Sequence, residues 1–334
     1  MSFYLVTGGS GFIGSHMVRY LLKEKNRVRV LDNFLTGHRK NLTEVVDAIE
    51  LIDGDFRDEV TTLAATTNID YIIHLGALPS VPRSVNDPVL TTDINVKGTV
   101  NLLQAAVKNS VKRVIFASSS SVYGDSPVFP RHESQVPQPL SPYAVSKLAG
   151  EFYLQCFYKL HGLETTSLRF FNVFGPRQDP NSQYAAVIPR FIEAVLYDRR
   201  PTVHGDGKQT RDFTYVDDLV AAIYTACHAK GAAGEVLNVA CERRTSLNHL
   251  LQMLQEMSGK TIHAEYTAPR AGDVRDSLAD ITKAKAILGF EPKFSMAEGL
   301  VRTFKWYENQ SRNGSSTNAN TINQPERMSV AFTS

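Results

Sequence analysis

Short apolar runs alternate with longer segments in which apolar residues recur every three or four positions through the first half of the chain. Short runs of this kind are typical of buried strands, and the wider spacing is typical of amphipathic helices. Their alternation predicts an α/β fold with a doubly wound parallel sheet and helices on both faces. The predicted strands are 3–7, 27–31, 49–52, 71–75, 111–118 and 165–171, and the predicted helices are 16–22, 58–65, 87–108 and 143–161.

The alternation loosens after residue 175, where the segments become shorter and prolines interrupt them. We therefore expect residues 1–175 to form the main domain and residues 176–310 to form a smaller C-terminal α/β lobe, partly interleaved with the first. Residues 311–334 are rich in Asn, Ser, Thr and Gln and hold few apolar anchors, which predicts a flexible polar tail.

A glycine-rich turn separates the first predicted strand from the first predicted helix, with the sequence Gly8-Gly9-Ser10-Gly11-Phe12-Ile13-Gly14. One glycine permits the tight turn, one lets the backbone approach a pyrophosphate, and one lets the helix pack closely on the strand. The free N–H groups and the dipole at the helix start favour the phosphates. The pattern predicts a Rossmann dinucleotide site.

The second predicted strand ends at Asp32, where an acidic residue can bind the adenosine ribose hydroxyls. A carboxylate there repels a 2′-phosphate, so the sequence favours NAD over NADP. Arg39 and Lys40 lie a little downstream and leave this preference open.

Tyr143 and Lys147 lie one helical turn apart at the start of a predicted helix, directly after Pro142. A neighbouring ammonium favours phenolate, so we expect Lys147 to lower the pKa of Tyr143 toward use as a base. The spacing alone is common on solvated helix faces. A third polar feature is the serine run at positions 118–121, where the strand 111–118 ends.

The glycine turn, the serine run and the Tyr-x-x-x-Lys pair occur in the order that is typical of the extended short-chain dehydrogenase/reductase superfamily, which this sequence resembles. The resemblance implies that Tyr143 takes a proton from a sugar hydroxyl while NAD accepts hydride from the same carbon, and that Lys147 holds the nicotinamide ribose. It implies Ser119 as the serine that binds the substrate oxygen, with Ser118 or Ser120 as alternatives. The cofactor contacts carried over are Gly8, Gly11, Phe12, Ile13, Gly14, Asp32, Asn33, Asp55, Phe56, Leu75, Ala77, Asn95, Tyr143, Lys147 and Phe171.

Dehydratases and decarboxylases of this superfamily carry an acid in the loop before Val-Tyr-Gly, where this chain has Ser120 and Ser121. A hydroxyl cannot replace a carboxylic acid as proton donor at neutral pH, so elimination is disfavoured. Oxidation followed by reduction from the opposite face remains, and this sequence of steps is an epimerisation through a transient ketone.

From residue 2 to about residue 307 the sequence resembles NAD-dependent nucleotide-sugar 4-epimerases, most closely the group that acts on N-acetylated UDP-hexoses. Arg211 and Arg270 match the phosphate-binding arginines of that family. A guanidinium suits this role because it binds phosphate oxygens with two donors at once. The substrate contacts carried over are Ser80, Ser119, Ser120, Tyr143, Asn172, Ala186, Val187, Arg211, Arg270 and Ser277.

Position 277 bears most on the choice of sugar. A tyrosine stands there in epimerases restricted to plain UDP-hexoses, whereas Ser277 leaves space for an acetamido group. Missing contacts in a pocket are worth only about 1–3 kcal/mol, so we expect UDP-GlcNAc and UDP-GalNAc to be interconverted and plain UDP-hexoses to be turned over less well. A UDP-glucuronate 4-epimerase, with Arg83 or Arg177 near the sugar carboxylate, and a regulatory NAD-binding protein without activity are the alternatives.

Composition narrows the classes of partner. A net charge of +2 over 334 residues, without a basic block, argues against nucleic acid. No apolar stretch approaches a membrane span, and we expect a soluble cytoplasmic protein. Three cysteines without paired spacing and scattered histidines suggest no metal site. The resemblance implies a homodimer formed through the helices at about 87–108 and 143–161.

Overall fold

The computed structural model describes residues 1–180, 186–269 and 274–319, and a parallel sheet of seven strands lies at its centre. Seven of the strands in the described residues form this sheet, and the others form short two-stranded pairings. In chain order the strands are β1 (Phe3–Thr7), β2 (Arg27–Asp32), β3 (Glu50–Asp53), β4 (Tyr71–His74), β5 (Arg113–Ser119), β6 (Glu164–Phe170), β7 (Val173–Phe174), β8 (Thr202–His204), β9 (Thr210–Arg211), β10 (Thr214–Tyr215), β11 (Val236–Val239), β12 (Thr245–Ser246) and β13 (Glu265–Thr267).

Helices cover both faces of this sheet. The α-helices of the described residues are α1 (Phe12–Lys23), α2 (Glu59–Ala65), α3 (Val81–Asn86), α4 (Pro88–Thr92), α5 (Gly98–Lys108), α6 (Pro142–His161), α7 (Val187–Leu196), α8 (Val216–His228), α9 (Leu247–Ser258), α10 (Thr282–Leu288) and α11 (Met296–Ala319). None of the helices in the described ranges is long and apolar enough to cross a membrane.

The main sheet has the strand order β11-β6-β5-β4-β1-β2-β3, and every neighbouring pair in it is parallel. The order reverses between β1 and β4, which creates the crevice where ligands bind in doubly wound folds. The predicted Rossmann fold is confirmed, and each of the first six strands lies within two residues of its predicted position. The seventh strand, β11, comes from the second half of the chain and was not predicted.

The predicted helix 87–108 is interrupted in the structure. It consists of α4, a π-helical turn at Asp93–Lys97, and α5. Such wide turns are often found at functional sites, and this one contains Asn95, one of the predicted cofactor contacts. The short helix α3 precedes it and was not predicted.

The second half of the chain forms three two-stranded pairings, β7 with β10, β8 with β13, and β9 with β12. Its apolar residues share one core with the main sheet, because side chains from α1, α8 and α11 lie in the same buried cluster. The smaller lobe is therefore built onto the sheet. The last helix continues to residue 319, so residues 311–319, predicted to begin a flexible tail, are helical.

Candidate functional site

Several of the predicted site residues follow the carboxyl ends of β1, β4 and β5, next to the point where the strand order reverses. Strand β1 leads into the glycine turn, β4 leads into Leu75 and Ala77, and β5 leads into the serine run. The parallel register of β1 with β4 and of β4 with β5 puts these three ends side by side. The fold thus forms a single crevice from segments far apart in sequence.

The glycine turn packs too tightly for side chains at two of its positions. Gly8 has a φ of +68°, and a Cβ there would lie 2.8 Å from backbone atoms of Gly76. A Cβ on Gly14 would lie 2.1 Å from the carbonyl oxygen of Gly8. Gly11 donates its N–H to the same oxygen at 3.1 Å and precedes α1, whose start no side chain caps. A close backbone cradle with free helix N–H groups fits a dinucleotide pyrophosphate.

Asp32 is held in place at the end of β2 by its own hydrogen bonds. Its Oδ2 accepts the N–H and the hydroxyl of Ser10 at 2.8 and 2.6 Å, and its Oδ1 accepts the N–H of Phe34 at 2.8 Å. Arg39 was one of the two basic residues that left binding of NADP open. Its guanidinium forms an ion pair with Asp53 and lies 3.8 Å from the centre of the Phe34 ring. The carboxylate that fits ribose hydroxyls is fixed, and this arginine has a carboxylate partner.

The remaining predicted cofactor contacts differ in how exposed their side chains are. Asn33 donates to Asp55 at 2.8 Å, so these two predicted contacts lie together. Phe171 is 1% exposed and Phe56 is 8% exposed, because both rings pack in the apolar core. Any contact of Phe171 with a cofactor would have to come from its backbone.

Asn95 belongs to a buried polar chain that connects two parts of the predicted site. One is the loop after β4, residues 75–78, called the cofactor loop because it holds the predicted contacts Leu75 and Ala77, and the other is α6, called the catalytic helix because it holds Tyr143 and Lys147. The side-chain amide of Asn95 accepts the N–H of Leu78 and donates to the carbonyl oxygen of Leu78. It also donates to the hydroxyl of Ser146 at 3.0 Å, and that hydroxyl donates to the carbonyl oxygen of Tyr143 at 2.7 Å. Its own carbonyl accepts the hydroxyl of Thr99 at 2.6 Å.

His74 extends this chain to the first strand. Its Nε2 lies 3.0 Å from the hydroxyl of Thr99 and its Nδ1 lies 2.7 Å from the hydroxyl of Thr7, which accepts the N–H of Gly76. Burial lowers the pKa of His74 to about 3, with the charge of Lys147 acting in the same direction. A neutral imidazole can donate at one nitrogen and accept at the other, as this chain requires. The sequence offered no signal for Thr7, Thr99 or Ser146.

Tyr143 and Lys147 lie in the first two turns of α6, as predicted, and the N-cap is the hydroxyl of Ser141. The Lys147 Nζ is 5.8 Å from the centre of the Tyr143 ring and donates to the carbonyl oxygen of Ala117 at 2.8 Å. Burial lowers the pKa of Lys147 to about 7. Burial also raises the pKa of Tyr143, with the Ser119 hydroxyl acting in the opposite direction. The expected lowering of the Tyr143 pKa by lysine was wrong, because exclusion of water dominates both groups.

The serine run divides between two sides of β5. Ser118 is buried and donates to Glu151 at 2.5 Å, and Glu151 pairs with Arg169. Ser119 interacts with Tyr143 instead and accepts two hydrogen bonds from Ser121. Ser118 is therefore excluded as the substrate serine, and Ser119 stays the prediction. Ser120 begins the following 3₁₀ turn, next to Ser119.

A cavity of about 270 Å³ is lined by five of the ten predicted substrate residues, among them Asn172 and Arg211. Asn172, at a φ of +34°, donates from its amide to the Ser277 hydroxyl at 3.3 Å. The Arg211 guanidinium donates to the carbonyl oxygens of Thr210 and Arg275 at 2.9 and 2.8 Å. Besides Asn172 and Arg211, the predicted residues on the wall are Ser80, Ala186 and Val187, whereas Ser119, Ser120, Tyr143 and Ser277 are not among its lining residues. The predicted contact Arg270 lies outside the described residues.

Two acidic residues that sequence reasoning missed fix the Ser277 segment. Asp276 accepts the N–H and the hydroxyl of Thr210 at 3.1 and 2.6 Å. Asp212 is fully buried and accepts the N–H groups of Cys241 and Ala279 at 2.9 and 3.1 Å. Burial raises the pKa of Asp212 to about 6. These partners are more than 25 residues apart in the chain, so spacing carried no signal.

Arg177 does not face this cavity. Its guanidinium lies 3.7 Å from Glu44, which also pairs with Arg19 at 2.8 Å. These three side chains line a different cavity, beside α7 and α11.

Comparison with known proteins agrees with this geometry. A family model described as "NAD dependent epimerase/dehydratase family" matches residues 4–240. UDP-glucose 4-epimerase of Mycolicibacterium smegmatis is 39% identical over 312 residues, which cover 92% of this chain and 99% of the relative.

Two solved structures are similar to this chain in fold as well as in sequence. UDP-N-acetylglucosamine 4-epimerase from Methanobrevibacter ruminantium, in complex with UDP-N-acetylmuramic acid, is 39% identical with a TM-score of 0.89 and covers 92% of this chain and 99% of its own. UDP-glucuronic acid 4-epimerase from Bacillus cereus, in complex with UDP-glucuronic acid and NAD, is 33% identical with a TM-score of 0.85 and the same coverage.

Replacement of Gly14 by alanine tests the cradle. Because the new Cβ would meet the Gly8 carbonyl at 2.1 Å, backbone must move, and we expect destabilisation by about 1–3 kcal/mol together with weaker NAD binding. Calorimetric titration with NAD and urea unfolding measure the two effects. Gly231→Ala is the matched control, since its Cβ would meet only Ile287 at 3.7 Å. Wild-type NAD affinity in Gly14→Ala would contradict the assignment.

Replacement of Lys147 by methionine tests the cost of burying the ammonium. Its folded-state pKa of about 7 lies below the unfolded value, so the lysine destabilises the fold at and below neutral pH, and this effect fades as the pH rises toward about 10.4. We expect Lys147→Met to raise the free energy of unfolding of the NAD-free protein by about 1–3 kcal/mol at pH 7, and by less at pH 9, while activity falls by about 100-fold or more.

Thermal unfolding of the NAD-free protein at several pH values measures the first effect. Lys108→Met, on an exposed position of α5, is the control and should give no pH-dependent difference. A stability difference for Lys147→Met that does not change with pH would contradict the prediction.

Proposed function

Because the chain belongs to the NAD-dependent epimerase/dehydratase family, we propose that it is an isomerase that interconverts UDP-GlcNAc and UDP-GalNAc through a transient 4-keto sugar, and that it turns over UDP-Glc and UDP-Gal less well. NAD, the cofactor of this family, supplies a reversible acceptor for the hydrogen on the sugar carbon. The protein's own residues supply the proton chemistry, the orientation of the sugar and the exclusion of water.

The contact between Asn172 and Ser277 carries the choice of sugar. These two residues, 105 positions apart, meet at 3.3 Å through short side chains. Asn172 also lines the cavity that holds Ser80, Ala186 and Val187. A tyrosine at position 277 would fill the space beside Asn172, whereas serine leaves that space for an acetamido group. The relative from Methanobrevibacter ruminantium, named for the N-acetylated substrate, supports this reading.

Tyr143, Lys147 and Ser119 act on the sugar hydroxyl in this proposal. The phenol takes the proton of that hydroxyl as the ketone forms and returns it as the ketone is reduced. Lys147 adds positive charge beside the ring, and Ser119 donates a hydrogen bond to the substrate oxygen. Because burial raises the pKa of Tyr143 and lowers that of Lys147, the phenol is strongly inclined to keep a proton it has taken.

Elimination is disfavoured by the lack of an available acid at the serine run. Glu151 is the carboxylate next to β5, but both its oxygens are bound by Arg169 and one also accepts from Ser118. Both oxygens of this buried carboxylate are thus occupied by protein donors, and the side chain points away from the serine that faces Tyr143.

UDP-glucuronate is the competing substrate, since the relative from Bacillus cereus is similar in fold and sequence. Such a substrate needs a cation or polar nest for its carboxylate. Arg177 pairs with Glu44 in another cavity, which leaves Arg83 of α3 as the candidate. A regulatory role without catalysis is disfavoured because both Tyr143 and Lys147 are present.

We also propose that two copies associate through α3, α4 and α6. These helices pack side by side, and they expose large apolar side chains that a monomer would leave in water. On α6, positions seven and eight residues apart fall on one face. The exposed residues are Val85, Val89, Val145, Phe152 and Tyr153.

A substrate panel tests the activity. Wild-type protein with NAD should epimerise UDP-GlcNAc faster than UDP-Glc and should leave UDP-glucuronate unchanged, as read by separation of the sugar nucleotides. Ser277→Tyr should lose UDP-GlcNAc turnover and keep UDP-Glc turnover, whereas Ser277→Ala, which keeps the space, should retain both. Equal UDP-GlcNAc turnover by Ser277→Tyr and wild type would refute the pocket argument, and preferred turnover of UDP-glucuronate would select the competing function.

A charge in the apolar face tests the association. Phe152→Glu should convert a dimer to a monomer in sedimentation experiments, because a carboxylate would lose its hydration in the interface. Val60→Glu, at an exposed position of α2 outside the three helices of the proposed interface, is the matched control. A monomeric wild-type protein would contradict the proposal.

A further inference from the structure

Ser121 makes two hydrogen bonds that none of the roles above require. Its N–H and its hydroxyl both donate to the Oγ of Ser119, at 3.2 and 2.9 Å. The first bond is an ordinary cap of the 3₁₀ turn Ser120–Tyr123. The second bond comes from a side chain and adds a donor that the turn does not need.

The two bonds together determine what Ser119 can do. A serine hydroxyl offers one donor and two acceptor lone pairs. Since Ser121 occupies both lone pairs, the Ser119 hydroxyl can only donate. A Ser119 hydroxyl that can only donate favours the phenolate form of Tyr143, with which it interacts.

Neighbouring residues leave this arrangement intact. Ser118 is directed to the other side of β5, where it donates to Glu151, and so does not compete for Ser119. Lys147 donates to the carbonyl oxygen of Ala117. Within the described residues, Ser121 is therefore the group that fills the acceptor sites of Ser119.

We propose that Ser121 is a positioning residue that fixes Ser119 as a hydrogen-bond donor throughout the reaction, so that the proton passes directly between the sugar oxygen and Tyr143 and never through Ser119. In the oxidising direction the O–H bond of the sugar breaks and the O–H bond of the phenol forms, while the O–H bond of Ser119 stays intact. A relay through Ser119 would need a free lone pair to accept the sugar proton. This inference rests on the epimerase activity proposed above.

Removal of the Ser121 hydroxyl frees one lone pair of Ser119. Ser119 can then accept from the neutral phenol, which favours the protonated form and raises the pKa of Tyr143. We expect Ser121→Ala to shift the pH dependence of kcat upward by about one unit and to lower kcat at neutral pH by about tenfold, with little change in KM. Ser121→Thr keeps a hydroxyl and should restore the wild-type profile.

Ser126→Ala is the matched control, because Ser126 lies in the same loop and its hydroxyl accepts only the N–H of Val128 among the hydrogen bonds described. It should leave both kcat and the pH profile unchanged. Wild-type kinetics in Ser121→Ala, or an equal loss in Ser121→Ala and Ser121→Thr, would overturn the proposal. A higher kcat in Ser121→Ala would also overturn it, since that result would mean that relay through Ser119 is productive.

A titration that needs no turnover separates this inference from the proposed activity. The ionisation of Tyr143 can be followed by tyrosinate absorbance in the NAD complex, with Tyr143→Phe subtracted. Ser121→Ala should raise that pKa by about one unit relative to wild type, and an unchanged pKa would refute the positioning role. If the wild-type protein epimerises no UDP-sugar but Ser121→Ala still shows this shift, the proposed activity alone is refuted. Thermal unfolding of each variant identifies any that fail to fold, and Ser121→Cys, a weak donor of similar size, then replaces Ser121→Ala.

Discussion

A buried ion pair between Glu151 of α6 and Arg169 of β6 fixes the depth of the catalytic helix on the sheet. The Arg169 and Glu151 side chains are 4% and 3% exposed, and two hydrogen bonds join them at 2.8 and 2.7 Å. Separation of such a pair would leave a charge without water or partner, at a cost of roughly 3–5 kcal/mol. Tyr143, Lys147 and Glu151 follow one another at intervals of four and lie on the same face. The pair that anchors the helix therefore also sets where the phenol and the ammonium lie.

The polar chain through His74 gives a second constraint of the same kind. It runs from the cofactor loop at Gly76 to the carbonyl oxygen of Tyr143, and each hydroxyl along it both donates and accepts. A protonated imidazole could not accept from Thr7, so the low pKa of His74 is a condition for the chain to be complete. Cofactor loop and catalytic helix thus belong to one hydrogen-bonded unit.

The sequence predicted the features that depend on neighbours in the chain. The glycine turn, Asp32 and the Tyr143–Lys147 spacing each combine local backbone geometry with side-chain chemistry, and each lies on the element that the sequence predicted for it. The features that depend on distant partners were missed, among them the Asp276–Thr210 contact and the second donor that Ser121 supplies to Ser119.

Burial was the quantity that sequence reasoning lacked. The expected lowering of the Tyr143 pKa followed from the charge of Lys147 alone, whereas the folded protein removes water from both groups. The same gap applies to Phe171, a predicted cofactor contact whose ring lies in the core. The end of α11 was also missed, because a polar composition carries no apolar period from which a helix could be read.

The position of β11 has a consequence for synthesis of the chain on the ribosome. This strand pairs with β6 at the edge of the main sheet, yet it lies more than 60 residues after it in sequence. Until residues 236–239 have emerged, β6 presents unpaired N–H and carbonyl groups, which is the type of edge on which strands of other chains aggregate. A nascent chain that ends near residue 175 holds the whole glycine turn and the catalytic helix, but it is an unfinished sheet, and completion of the Rossmann unit must wait for the second half of the protein.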